Sequence, residues 1–192
     1  MTAERLLDAA ACGGDPETVR LALEHVDWPR DDARWFAVLE QPVRCWNRGA
    51  WGWGRPRADW DSTTYRVCFG LILERCDPNI RGRITDGAQL GLTILHSVAG
   101  LRKPPLDERV GFATLVLDAG GRLDLRDNLL QSTPLGWACR WGRVELVELL
   151  LSRGADPVEA DAYPWATPEA WARKMDHDSV LTALQEHGRK DS

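Results

Sequence analysis

Tyrosine, phenylalanine and methionine are scarce in this 192-residue chain (2, 3 and 2 residues), so ten tryptophans carry most of its aromatic character. It has no apolar run near the ~18 residues that a bilayer-spanning helix needs, so no membrane partner is expected. The opening Met-Thr-Ala-Glu-Arg runs into a helical pattern without the apolar core of a signal peptide, and a cytoplasmic location is expected. The five cysteines are odd in number and form no Cys-x-x-Cys pair, which speaks for reduced thiols and against a disulfide frame or a zinc site. A basic excess is also missing. Lys and Arg number 24 against 29 Asp and Glu, and the net charge of −5 gives no general pull toward nucleic acid.

The usual marks of catalysis are missing as well. Gly52-Trp53-Gly54 lacks the third glycine and the strand-to-helix setting of a dinucleotide fingerprint. The chain has no Gly-Lys-Ser/Thr phosphate loop and no His-Glu-x-x-His. Asp176-His177-Asp178 reads as a solvated turn. No catalytic residue, cofactor or metal is expected, and the chain is read as a non-enzyme.

What the sequence does contain is a period. Thr133-Pro134 recurs as Thr167-Pro168, Trp137 as Trp171, Gly120 as Gly154 and Asp127 as Asp161, each 34 residues apart. Leu92 to His96 matches Ser132 to Gly136 at a distance of 40, one period plus six residues. The N-terminal LLDAAACGGDPETVRLALE aligns without a gap on the segment that begins at Leu135. A fixed period of this size marks a stacked repeat array.

Each unit reads as two helices joined by a tight turn. In VELVELLLSRG, apolar residues at i, i+3 and i+4 steps form a broad stripe that only a neighbouring unit can bury. Ser132 and Thr133 offer N-cap oxygens, and Pro134 fits a first helical turn. Gly154 is placed to end the second helix, and Pro157 prevents its resumption. Leu115, Leu135, Ala138, Leu146, Leu149 and Leu150 are expected in the core. In the second unit, the first helix is expected at ARWFAVLEQPVRCW and is expected to break at Pro42.

The stretch TPLGWACRWGRVELVELLLSRGAD resembles the ankyrin repeat, with its Thr-Pro-Leu-His, paired alanines, Gly-His-type turn, leucine-rich second helix and Gly-Ala-Asp. Gly136 stands where the family usually has His, which His96 retains, and Glu169 stands where the last unit should have Leu. The resemblance implies an all-α, ankyrin-type solenoid of about five helix-pair repeats with hairpin fingers. One domain over residues 1–192 is expected, with repeats near 1–27, 28–80, 81–121, 122–155 and 156–190. It also implies that His96 hydrogen-bonds the neighbouring turn.

Two insertions depart from the template between first and second helices: LRKPPLDE in the third unit, and a Trp-rich loop, residues 47–63, in the second. The loop combines Trp51 and Trp53 with Arg55. It reads either as a recognition loop, since Trp and Arg dominate binding hot spots, or as a lid that packs its indoles over the first helix.

Ankyrin-type stacks bind other proteins through the concave surface of fingers and first helices, so the resemblance implies a non-catalytic protein-interaction module. Its position-matched contact residues are Gln89, Leu90, Leu129, Leu130, Ser132, Arg140, Trp141, Tyr163 and Lys174. Trp51, Trp53 and Arg55 form a second candidate surface. The partner is expected to be a protein and the chain a monomer. Two other readings remain: a toxin-neutralising, immunity-type inhibitor, and an enzyme or nucleic-acid binder using the Trp/Arg loop.

Overall fold

The computed structural model describes residues 1–45, 63–82, 90–102 and 104–190. Ten helices form among them, paired in chain order: α1 (Ala3–Gly13) with α2 (Pro16–Leu23), α3 (Arg34–Cys45) with α4 (Thr63–Leu73), α5 (Ile94–Gly100) with α6 (Leu106–Asp118), α7 (Pro134–Arg140) with α8 (Val144–Ser152), and α9 (Pro168–Lys174) with α10 (Asp178–Lys190). The first helices pack in sequence, α1 on α3 on α5 on α7 on α9, and the second helices do the same. The architecture is therefore an all-α, ankyrin-type solenoid. Extended structure among the described residues amounts to one isolated antiparallel bridge, Gly82 with Leu92.

The local chemistry of each pair explains its limits. Thr133 and Thr167 sit in extended backbone and accept the N–H of Gly136 and Ala170, both at 3.2 Å, with Pro134 and Pro168 in the first turn. Asp15 does the same for α2, accepting from Thr18 at 3.2 Å. In three of the pairs the turn between the helices passes through a left-handed residue. Gly14 (φ 67°) and Gly142 (φ 64°) supply it, and Asp176 (φ 56°) takes the equivalent place in the last pair.

The core is one continuous apolar cluster running between the two helix layers. Leu7, Leu39, Leu95 and Leu135 enter from first helices, and Phe69, Phe112, Leu146, Leu150 and Val180 from second helices. Phe69 and Phe112 meet edge to face at 5.0 Å, locking α4 to α6. Arg109 is buried at the start of α6 and donates to the Val98 carbonyl, in the last turn of α5, and to the Pro104 carbonyl. Desolvation lowers its pKa to about 10, so it remains a cation that satisfies carbonyls at the C-terminal end of α5.

Three sequence-based expectations change. Leu149 and its 34-residue counterpart Leu115 are half-buried at the edge of the core, while Leu150 and Val116 take the deep positions. Helix α3 runs on through Pro42, which is itself buried. Ser132 is not a cap: Thr133 holds that role, and Ser132 lies inside the structure. By contrast Glu169, where a core leucine was expected to be missing, is exposed and ion-paired to Arg173 at 2.6 Å. A polar face of this kind is what the end of a stack requires.

Candidate functional site: the face of fingers and first helices

The connections that enter α7 and α9 are built on buried carboxylates. Asp127 is 1% exposed and accepts from the N–H groups of Leu129 (2.8 Å), Leu130 (2.6 Å) and Ser132 (3.1 Å) and from Trp137 Nε1 (2.8 Å). Its own N–H returns to the Ser132 carbonyl, closing a tight loop. This arrangement ties up the main-chain donors of Leu129, Leu130 and Ser132 and turns Leu129 outward. Adjacent fingers are tied together by Asn128 N–H to the Leu90 carbonyl at 2.7 Å, and by Arg81 bridging the Gly91 and Arg126 carbonyls at 2.9 Å.

His96 anchors the same layer from below. It is fully buried; Thr93 N–H donates to its Nδ1 at 3.1 Å, and its Nε2–H therefore faces the Ser132 carbonyl at 3.0 Å. Burial, above all, lowers its pKa to about 4, so the ring is neutral and serves as a strut between units. The link to the neighbouring turn is the one the resemblance implied. In the next layer Glu159, also buried, accepts from Thr133 Oγ1 (2.5 Å) and Arg126 Nη1 (2.7 Å), and desolvation raises its pKa against both partners.

On this frame lies an aromatic strip. Tyr163 and Trp165 stack nearly parallel (8°) at 5.9 Å, and Trp165 meets Trp171 edge to face at 6.2 Å. The Arg140 guanidinium lies 4.5 Å from the Trp171 ring and 5.7 Å from that of Trp141, while Lys174 Nζ lies 5.2 Å from Trp171. Leu129 (56%), Tyr163 (59%), Trp165 (50%), Trp141 (40%) and Met175 (37%) are among the most exposed large apolar side chains described. Trp141 also rests against the preceding unit, its Nε1 beside Gly100.

The structure brings Arg140, Trp141, Tyr163 and Lys174 together in this strip. Leu129 is exposed on the neighbouring finger, and Leu130 and Leu90 are half-buried against the core. Ser132 is 0% exposed, donating to the Ala166 carbonyl and accepting Trp171 Nε1, so its side chain offers nothing to a partner. Gln89, Trp51, Trp53 and Arg55 lie outside the described residues. Trp165 and Trp171 were not singled out from sequence. The Tyr-Pro-Trp triplet at 163–165 was the signal for Trp165, because two aromatics in a turn have no local reason to be there.

Two grooves lie elsewhere among the described residues. One of about 350 Å³ separates α3 from α5 and is lined by Phe36, Glu40, Leu90, Ser97 and Trp137; there Ser97 Oγ donates to Glu40 Oε1 at 2.6 Å. The other, about 590 Å³, lies between the second helices α4 and α6, over Val67, Leu71, Gly111 and Leu115. His96 also lines the first groove, and both its ring nitrogens are engaged, by Thr93 and by the Ser132 carbonyl, so it is not free to serve Ser97 as a base. Three buried thiols are suppressed as nucleophiles: burial pushes the Cys68 and Cys76 pKa values up to about 12, and raises that of Cys139.

Comparison with known proteins points one way. The family model of the ankyrin repeat matches residues 131–162. Ankyrin repeat domain-containing protein 63 of Homo sapiens is 35% identical over 114 residues, covering 59% of this chain and 28% of that protein. Its Mus musculus counterpart is 33% identical over 114 residues, covering 59% and 27%. Palmitoyltransferase AKR1 of Lachancea kluyveri is 34% identical over 68 residues, which is 35% of this chain and 9% of that enzyme. The chain thus spans less than a third of the length of each of these relatives.

Proposed function

We propose, starting from a chain that is an ankyrin repeat family protein, that it is a non-catalytic interaction module whose last two units hold a partner protein on the face of fingers and first helices. One observation carries this reading: Trp141, Tyr163 and Trp165 are exposed around Arg140 and Trp171, outside the core, with Leu129 exposed on the neighbouring finger. A cluster of large apolar side chains left in water is the usual mark of a docking surface. Trp, Tyr and Arg are also the residues that dominate binding energy at interfaces.

The reading is tested with Arg140→Ala combined with Trp141→Ala. Once a partner is in hand, the pair should weaken binding by about 2 kcal/mol or more, the hot-spot scale, with an unchanged melting temperature. Unaltered affinity in the double variant would remove this face from the interaction. The same measurement on Trp51→Ala with Trp53→Ala tests the competing loop, which should change stability more than affinity.

A further inference from the structure

The aromatic strip is unusual in its hydrogen-bonding balance. Of the six tryptophans described, four donate their indole N–H within the protein: Trp28 to Glu4, Trp35 to the Pro29 carbonyl, Trp137 to Asp127 and Trp171 to Ser132. The exceptions are Trp141 and Trp165, whose Nε1 groups have no acceptor among the described residues. Both are in the strip. Arg140 and Lys174 likewise have no carboxylate among the described residues; each is held instead over an indole face. Neighbouring cations are treated differently: Arg126 binds Glu159 and Asp161, Arg153 binds Asp118, and Arg173 binds Glu169.

Of the carboxylates on these last units, Glu169 is paired with Arg173, and Asp161 shares Arg126 with Glu159. Asp176 and Asp178 stand at the α9–α10 turn beyond Met175, at one end of it. What the strip presents is therefore apolar area carrying two cations and two indole donors, with few acceptors. A partner that covers it must bring acceptors and negative charge along with apolar side chains, or leave a partly desolvated guanidinium unpaired.

Resting on the interaction reading above, we propose that the strip receives an acidic segment of a partner protein, in which carboxylates alternate with apolar residues. The carboxylates meet Arg140, Lys174 and the two indole N–H groups, and the apolar side chains lie on Tyr163 and Trp165. A single-stranded nucleic acid could also stack on such rings. Two unpaired cations on a chain of net charge −5 do not make the basic track that successive phosphates require, so the peptide is favoured.

The test uses the whole chain and four probes: 12-residue peptides alternating Phe or Leu with Glu, with Gln or with Lys, and a 12-nucleotide oligothymidylate. At low salt the Glu peptide should bind about tenfold more tightly than the Gln peptide, the scale of two partly desolvated ion pairs, and the Lys peptide more weakly still. That preference should shrink toward 0.5 M salt as the charges are screened. In ¹⁵N spectra the Trp141 and Trp165 indole signals should move while that of Trp35 stays. Arg140→Gln with Lys174→Gln should bring the Glu and Gln peptides within about twofold of each other, at an unchanged melting temperature. The proposal is overturned if the Lys peptide or the oligonucleotide binds as tightly as the Glu peptide, if the preference survives the double variant, or if no peptide binds. Equal binding of all three peptides that Trp165→Ala abolishes would also overturn it, while leaving the surface itself as a docking site.

Discussion

At the scale of single residues, buried polar groups decide more than their number suggests. Asp127 and Asp161 occupy equivalent places one period apart, yet Asp127 holds four donors and Asp161 has one exposed bond to Arg126. Asp127→Ala should accordingly cost about 2–4 kcal/mol in urea unfolding, since it strands one buried and three part-buried donors. Asp161→Ala should cost less than about 1 kcal/mol, as exposed ion pairs do. His96 adds a pH dependence of definite sign. Its pKa falls from 6.5 to about 4 on folding, so the unfolded chain binds the proton first as the solution is acidified. Stability is complete above pH 6.5 and should drop by about 3 kcal/mol as pH falls toward 4, a loss that His96→Gln should largely remove. The raised carboxyl of Glu159 works in the opposite direction and is not expected to reverse the trend. Urea titrations of both proteins between pH 7 and 4 measure this directly.

At the scale of helices and turns, the sequence was informative wherever a residue type has one physical use. Thr-Pro marks a capped helix start, and a Gly or Asp in left-handed backbone marks the turn within a pair, so the helix boundaries of the last two units were legible. The helical phase of α8 was not. With Leu146, Val147, Leu149, Leu150 and Leu151 all apolar, the stripe covers more than half the helix, and composition alone does not say which leucine lies at its centre. The structure puts Leu150 there and Leu149 at the margin. Leu150→Ala should cost about 2–5 kcal/mol and Leu149→Ala clearly less, about 1–2 kcal/mol, in the same denaturation assay. Pro42 misled for a related reason: proline is a local signal, and the apolar contacts that surround it in α3 outweigh the lost hydrogen bond. Thiol labelling of the native protein offers a further check, since Cys12 is partly accessible while Cys68, Cys76 and Cys139 are closed. Iodoacetamide should modify Cys12 at least about tenfold faster than those three, whose thiolate form is suppressed.

At the scale of the whole molecule, stacking turns local repetition into a surface. Each pair buries its stripe against the next, and the residues that repeat without serving that purpose end on the finger side. Arg140, Trp141 and Tyr163 were recognisable from position for this reason. Trp165 was not, because it belongs to a finger with no matching residue in the other units. Trp171 was hidden as well, because it looks like the counterpart of Trp137; both donate to a buried finger residue, but Trp171 also carries Arg140 and Lys174 on its ring. The central claim is that a partner docks on this side of the solenoid. Its most direct test is site-specific photo-crosslinking in cells that express the protein, with benzoylphenylalanine in place of Trp165 in one variant and of Val67, exposed on the second-helix side, in the other. The expected result is a discrete adduct from position 165 that Arg140→Ala with Trp141→Ala suppresses, and none from position 67. The same adduct arising only from position 67 would contradict the claim.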